Sequence, residues 1–342
     1  MSEHSRREFL GFTLPAGLAL GAGLTALRSS TFAAQNQTPT PAAIRGGGAN
    51  AAARFALELD GHHAGWLDSV EGGDATADVV LEKMGPDNIQ HKHLAGVKYE
   101  DIVLTCGTGM SKDFYDWIKA SLDRRSVVKN GAIVALDFSG KPVSRLEWTN
   151  GLLTEVALPA CDAASKDIAR MTLKITPALT KMAPPQAGGS SVLLQQKKWL
   201  PSNFRLQIAG CQSACSHVSA VDAIVLKYAQ LASAPGVLRS VQLPGRQVEV
   251  PNLCLMAAES EATEFLTWYE DFLIKGNNAP AGEKTGTLEY LTPDMKQPLF
   301  TLSFGGLGIF KFAPDKMQVG MQAIRRVRAE MYCDSIAFNY SA

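Results

Sequence analysis

Apolar and polar residues alternate with a period of two in two well-separated segments of the chain. Phe55 to Gly61 has the sequence FALELDG, and Phe204 to Gly210 has the sequence FRLQIAG. Because successive side chains of a β-strand point to opposite faces, this alternation is typical of a strand with one buried face. Each segment stops at a glycine, as a strand entering a tight turn does. Both segments are therefore predicted to be half-buried strands.

The segments that follow these two strands match in order and kind. Each copy has an apolar run, a further strand, a hairpin and a final strand, and the copies share pattern more than identity. An internal repeat of this kind indicates that one folding unit occurs twice. The matched segments are Val79–Leu81 with Ile224–Leu226, 101–107 with 251–257, 136–148 with 288–304, and 170–176 with 329–338.

Each copy also contains one short amphipathic segment with two aromatic residues three positions apart. In the first copy, FYDWIKASLDR begins at Phe114 and includes Trp117; in the second, FLTWYEDFLIKG begins at Phe265 and includes Trp268. Residues three apart lie on the same face of an α-helix. The spacing predicts one helix per copy, with these four aromatic side chains in the core.

Short strands separated by turn signals favour a mainly β fold with a small helical part (β+α), built as a barrel or a sandwich. Each copy is predicted to hold six or seven short strands and one helix. Residues 181–191, KMAPPQAGGSS, break the pattern and indicate a linker. The predicted organisation is a first domain at 54–177, an interdomain linker at 178–202 and a second domain at 203–342.

Residues 1–34 have the composition of an export signal. Arg6 and Arg7 precede an apolar, glycine-rich stretch from Phe12 to Leu27. The paired arginines resemble the twin-arginine signal, which implies a periplasmic or extracellular location in a bacterium. An uncleaved membrane anchor is the alternative, although the glycines weaken the stretch as a spanning helix. Residues 35–53 then indicate a flexible tether.

The composition is that of an ordinary globular protein and excludes some functions. Hydrophobic residues make up 46% and charged residues 19%, and Lys+Arg and Asp+Glu are both 33, so the formal net charge is zero. A chain without a basic excess is not expected to bind nucleic acid. The six cysteines are too few for a disulfide scaffold and include no CxxC pair. Whether Cys211 and Cys215 form a disulfide after export is left open.

Four motifs of the first copy resemble the T4-type contractile tail tube family, which shares its fold with the type VI secretion tube protein. They are FALELDG at 55–61, HLAGVKYEDIVLTCG at 93–107, SKDFYDWIKASLD at 111–123 and AIVALDFSGKPVSRLEW at 132–148. The resemblance extends over residues 54–177, and the second copy shares it only through the repeat. Two differences are the export signal and an alanine, Ala95, in the family's Leu-Pro-Gly motif. The resemblance implies two tandem tail-tube-like β-barrel or sandwich domains.

The resemblance also implies self-association into rings of six domains. When sheets pair edge to edge between subunits, they satisfy N–H and C=O groups that an open sheet leaves unpaired. A chain with two such domains is expected to form a trimer, which gives a pseudo-hexameric ring, or to join related tail-tube-like subunits. No membrane contact is expected once the signal is cleaved.

A predicted hairpin at 78–93, with a Gly-Pro-Asp-Asn turn at 85–88, is the candidate assembly arm. A hairpin that is merely solvated within one domain is the alternative. Charge reversal at Glu82, Lys83 and Lys92 is expected to weaken assembly, measured as the mass in solution, without unfolding the chain; unchanged assembly would contradict the assignment. The candidate assembly residues are Glu82, Lys83, His91, Lys92 and His93.

Motifs for catalysis or a cofactor are missing from the sequence. His62-His63 and His91-x-His93 invite a metal site, but no carboxylate or cysteine stands at a recognised ligand spacing. No phosphate-binding glycine loop and no G-x-S-x-G motif occurs. The sequence therefore predicts a non-enzymatic structural protein without a cofactor, in a ring or tube of a phage-tail-like or injection apparatus. The alternatives are a periplasmic binding or adaptor module that reuses the fold and, because twin-arginine cargoes often carry cofactors, an enzyme.

Overall fold

The computed structural model describes residues 54–83, 90–123, 125, 127–185, 199–229, 247–315 and 324–340. It is mainly β with a few short helices, as the sequence predicts. The predicted signal, the tether that follows it and the turn of the predicted hairpin lie outside the described residues. Among the residues that are described, no helix has both the length and the apolarity needed to cross a membrane.

The first half of the chain is a series of antiparallel strands with one helix. Strand β1 turns into β2 through Asp60 and Gly61, which both have positive φ, the geometry of a tight two-residue hairpin turn. The elements are β1 (Arg54–Leu59), β2 (His62–Gly72), β3 (Ala75–Lys83), β4 (Gln90–Tyr99), β5 (Ile102–Cys106), α1 (Lys112–Leu122), β6 (Val128–Leu136), β7 (Pro142–Leu158), β8 (Cys161–Asp162), β9 (Met171–Thr176) and β10 (Leu179–Ala183).

Six of these strands close into a barrel. Their order is β7-β6-β1-β2-β5-β9, and β9 pairs back onto β7. Strand β7 makes closure possible because its first part pairs with β6 and its last part pairs with β9. A closed sheet has no edge strand within the ring.

The second half repeats this order of elements with one added short helix and, among the described strands, without counterparts of β8 and β10. Helix α3 continues into a π-helical turn at Glu270–Ile274. The elements are β11 (Phe204–Ile208), α2 (Gln212–Ser216), β12 (Val218–Val221), β13 (Ile224–Ala229), β14 (Gln247–Glu249), β15 (Leu253–Ala258), α3 (Thr263–Tyr269), β16 (Lys284–Leu291), β17 (Pro298–Pro314) and β18 (Arg326–Tyr340).

The second sheet is open at the position where the first is closed. Its order is β11-β16-β17-β18-β15-β12-β8. Strands β11 and β12 therefore correspond to β1 and β2 but do not pair with each other. Helix α2 separates them along the chain, and β8 from the first half lies beside β12 instead. The two copies share one strand order, but only the first forms a complete barrel.

The two halves exchange strands. While β8 joins the second sheet, β13 pairs with the end of β7 in the first. The predicted linker at 178–202 contains strand β10, which also pairs with β7. Near its end, Trp199 is buried edge-on against Tyr290 and Phe300. All the described residues accordingly belong to one compact unit.

The helices pack on the sheets through their aromatic faces. Phe114 and Trp117 of α1 are buried, and Trp117 Nε1 donates a hydrogen bond of 3.0 Å to the carbonyl of Val127. Phe265 and Trp268 of α3 are buried in the same way. The three-residue spacing therefore places each pair of rings where an amphipathic helix meets a core.

Candidate assembly surface

Strands β3 and β4 form a separate two-stranded sheet, here called the free hairpin, and no other described strand pairs with either of them. It extends from Ala75 to Tyr99, beyond the predicted 78–93. An isolated two-stranded hairpin is only marginally stable in water, so packing against a partner is expected to stabilise it. All five candidate assembly residues lie on it: Glu82 opposite His91, Lys83 opposite Gln90, Lys92 opposite Leu81, and His93 opposite Val80.

One face of the free hairpin is apolar and exposed. Residues directly opposite each other on an antiparallel pair share a face, and Val79 lies opposite Leu94 while Ala77 lies opposite Val97. Val79 is 59% exposed, Leu81 55%, Leu94 70% and Val97 63%. Contiguous exposed apolar side chains of this kind mark interaction surfaces.

The opposite face is polar, and it carries most of the residues predicted from sequence. Glu82, His91 and His93 lie there, with His93 Nε2 3.6 Å from a carboxylate oxygen of Glu82. Asp78 and Lys98 form an exposed ion pair. Exposed ion pairs add little stability, so the apolar face is the stronger candidate for binding. The sequence does not reveal that this apolar face is exposed, because the apolar face of an alternating strand is ordinarily buried within its own domain.

A second hairpin, here called the seated hairpin, is formed by β13 and β14. Strand β13 pairs antiparallel with the end of β7, with Ile224 opposite Leu158 and Leu226 opposite Val156. Ile224 is 2% exposed and Leu226 0%. The apolar face that is exposed on the free hairpin is therefore covered on its counterpart.

The histidines suggested as metal ligands lie in two separate environments. His63 packs edge-on against Trp66, and burial lowers the pKa of its imidazole despite the attraction of Glu58. His91 and His93 lie on the free hairpin. Across the part of the chain that the structure describes, no group of three or more His, Cys, Asp or Glu residues is arranged to hold a metal ion.

All six cysteines are free thiols in the structure. Cys211 and Cys215, the pair whose oxidation the sequence leaves open, flank and lie within α2. Burial raises the pKa of Cys211 to about 11 and that of Cys215 to about 12. Because the thiolate is the nucleophilic form, such thiols are poor nucleophiles at neutral pH.

A polar depression on the first barrel has its charges paired with one another. Arg145 contacts Glu58 at 2.8 Å and Glu147 at 2.8 Å, and Lys181 contacts Glu147 at 3.0 Å. These bonds lower the pKa of the Glu147 carboxyl, chiefly through Arg145. Side chains that neutralise each other in this way stabilise the junction of β1, β7 and β10 rather than present charge to a ligand.

Residues 51–178 match the family model of the T4-like virus tail tube protein gp19. The match covers nearly the same residues as the predicted resemblance and confirms it. It also agrees with the mainly β architecture. A structural role in a tube or similar assembly is thereby supported for the first half of the chain. Among curated protein sequences, none matches this chain significantly.

Solved structures with similar chains include one from an extracellular contractile injection system. A chain of the extracellular PVC sheath–tube complex in the extended state is 22% identical, covering 38% of this chain and 88% of that one, with a TM-score of 0.34. A chain of the anti-feeding prophage tube-terminating cap is 20% identical, covering 43% and 98%, with a TM-score of 0.37. Hcp1 from Flavobacterium johnsoniae is 12% identical, covering 38% and 94%, with a TM-score of 0.25.

Proposed function

We propose that this protein is a non-enzymatic structural subunit that forms a ring or tube of a phage-tail-like or injection apparatus. The observation that carries the proposal is the free hairpin, whose apolar face is exposed next to a barrel matched by the tail tube family. A subunit that assembles through such an arm buries that face in its neighbour.

The use of the two hairpins suggests how many chains make a ring. Each chain has two tube-like halves, and its seated hairpin joins the second half to the first. If the free hairpin joins the first half to the second half of a neighbour, every junction in the ring includes a hairpin paired with the long strand of the next half. Repeated head-to-tail contacts close into a cyclic ring when the rotation permits. Three chains then give a pseudo-hexameric ring of six tube-like units, on which related subunits can stack.

We further propose that the ring assembles in the periplasm or outside the cell, after export by the twin-arginine route. The support is the pair Arg6-Arg7 and the apolar stretch behind it. Removing the signal is compatible with assembly because β1, the first described strand of the barrel, starts at Arg54, about 20 residues after the predicted signal ends.

Protein purified after export is expected to be a trimer at micromolar concentration in analytical ultracentrifugation. Negative-stain images are expected to show closed rings with six lobes or tubes built from them. A stable monomer at that concentration would contradict the proposal. If that monomer also bound a ligand in a cleft, the periplasmic binding or adaptor module would be the better description.

A further inference from the structure

The long strands β7 and β17 occupy equivalent positions in the two halves. Each pairs first with the strand before it, and each shifts register at one point against the strand on its other side. The shift lies between Leu153 and Glu155 in β7, and between Ile309 and Lys311 in β17. Glu155 therefore corresponds to Lys311, and the three residues after each of them correspond one by one.

The segment after the shift in β7 is where the seated hairpin binds. Val156 and Leu158 are buried there, at the positions where β13 pairs with β7. Their counterparts in β17 are Phe312, which is half-buried, and Pro314, which is exposed. On one side this segment of β17 pairs with β18, and among the described strands none pairs with the other side. The backbone edge of β17 at Lys311–Pro314, here called the acceptor edge, is therefore available to pair with another strand.

The free hairpin contains a sequence motif similar to the one that pairs with the equivalent edge of β7. Val79-Val80-Leu81-Glu82 corresponds to Ile224-Val225-Leu226-Lys227 of the seated hairpin. The first and third residues of this motif are buried in the seated hairpin, where they are Ile224 and Leu226. In the free hairpin they are Val79 and Leu81, and both are more than half exposed. The chain therefore has one strand edge, Lys311–Pro314, that no described strand pairs with. It also has one strand, β3, with the sequence pattern of the strand that pairs with the equivalent edge of β7.

The charges at the end of the motif fit the same pairing. In the seated hairpin, Lys227 lies directly opposite Glu155. In the equivalent register, Glu82 lies opposite Lys311, so both signs are reversed and the attraction is kept. The wrong combinations, Glu82 with Glu155 and Lys227 with Lys311, place like charges opposite each other. Like charges across a pair disfavour the wrong partner, so the two kinds of half are expected to alternate around a ring.

We propose that strand β3 of one chain pairs antiparallel with the acceptor edge of β17 in a second copy of this chain. Leu81 then lies opposite Phe312, and Glu82 lies opposite Lys311. Pro314 ends the pairing because it has no N–H to donate. This inference rests on the proposed ring and names the surface that receives the free hairpin.

A disulfide trap tests the pairing in the full chain. The register places Val80 opposite Ala313, and residues directly opposite on antiparallel strands are close enough for a disulfide. The variant V80C/A313C is expected to give covalently linked dimers and trimers on a non-reducing gel, which reductant returns to single chains. V80C alone and A313C alone are the controls and are expected to remain unlinked, because the six native cysteines are mostly buried.

The outcomes separate this inference from the proposed function. A trimer in solution that does not become linked would overturn the acceptor edge while the ring stands. A disulfide formed within one chain would overturn it as well. A wild-type protein that is monomeric would instead remove the ring itself, and the pairing with it.

A charge exchange gives a second readout of the same register. E82K and K311E are each expected to weaken the trimer roughly tenfold, and the double variant E82K/K311E to recover most of that loss. Because Lys311 also contacts Glu330 at 2.6 Å, thermal unfolding of each variant checks that the second sheet stays intact. Purely additive losses in the double variant would overturn the proposed opposition of Glu82 and Lys311.

Discussion

Replacing Leu81 and Leu94 together with aspartate is expected to convert the assembled protein into folded monomers. Both side chains lie on the apolar face of the free hairpin and are exposed in the single chain, so their loss costs the fold little. In an assembly they are buried, and burial of a leucine contributes about 1.5–3 kcal/mol. Two such losses weaken association by roughly a hundredfold or more. Analytical ultracentrifugation over a range of concentrations measures the effect.

A matched control is available at another exposed apolar residue. Phe138 is 86% exposed at the turn between β6 and β7, outside the free hairpin. Phe138→Asp is expected to leave the association constant of the ring unchanged. Far-ultraviolet circular dichroism of the hairpin variant is expected to match that of the wild type. If the Leu81/Leu94 variant still forms rings at the protein concentrations at which the wild type does, the apolar face is not the assembly surface.

Replacing Trp117 with alanine is expected to cause a large loss of stability. Its indole is buried in the core, and Nε1 donates to the carbonyl of Val127. Removing a buried tryptophan costs about 3–5 kcal/mol because it leaves a cavity. For a chain of this size the midpoint of thermal unfolding is expected to fall by roughly 5–15 °C.

The conservative variant separates packing from hydrogen bonding. Trp117→Phe keeps most of the ring volume and loses the hydrogen bond, which is worth about 1 kcal/mol, so its midpoint is expected to fall much less. Ile274→Ala, at an exposed position after α3, is expected to change the midpoint little. If the midpoint falls equally for Trp117→Ala and Trp117→Phe, packing of the aromatic side chain is not the main source of the stability that Trp117 contributes. Scanning calorimetry provides the midpoints.

The incomplete second sheet is connected to the way in which the halves are joined. Strands β1 and β2 are linked by a two-residue turn and pair along their length, whereas α2 intervenes between β11 and β12. The side of β12 that would otherwise meet β11 is then open to β8. Together with the seated hairpin on β7, this exchange fixes the two halves as one compact unit. A rigid two-unit subunit loses less entropy on ring closure than two tethered domains.

Local sequence determined most of the secondary structure of this protein. The alternation from Phe55 places β1, and the aromatic spacing from Phe114 places α1, because each pattern reflects which side chains face the core of a single element. The order of these patterns was sufficient for the tail tube resemblance. It was also sufficient to predict a hairpin at 78–93, which the structure extends to Ala75–Tyr99.

Only the tertiary structure decided which of two similar hairpins is covered. Val79–Leu81 and Ile224–Leu226 have the same local pattern, and nothing in either segment says whether another strand lies against it. That depends on where β7 and β17 are placed by pairings with residues far away in the chain. Sequence alone therefore determined that these segments are strands with an apolar face. Burial and exposure were set by long-range pairing, because a strand's edge is satisfied by whichever backbone the fold brings beside it.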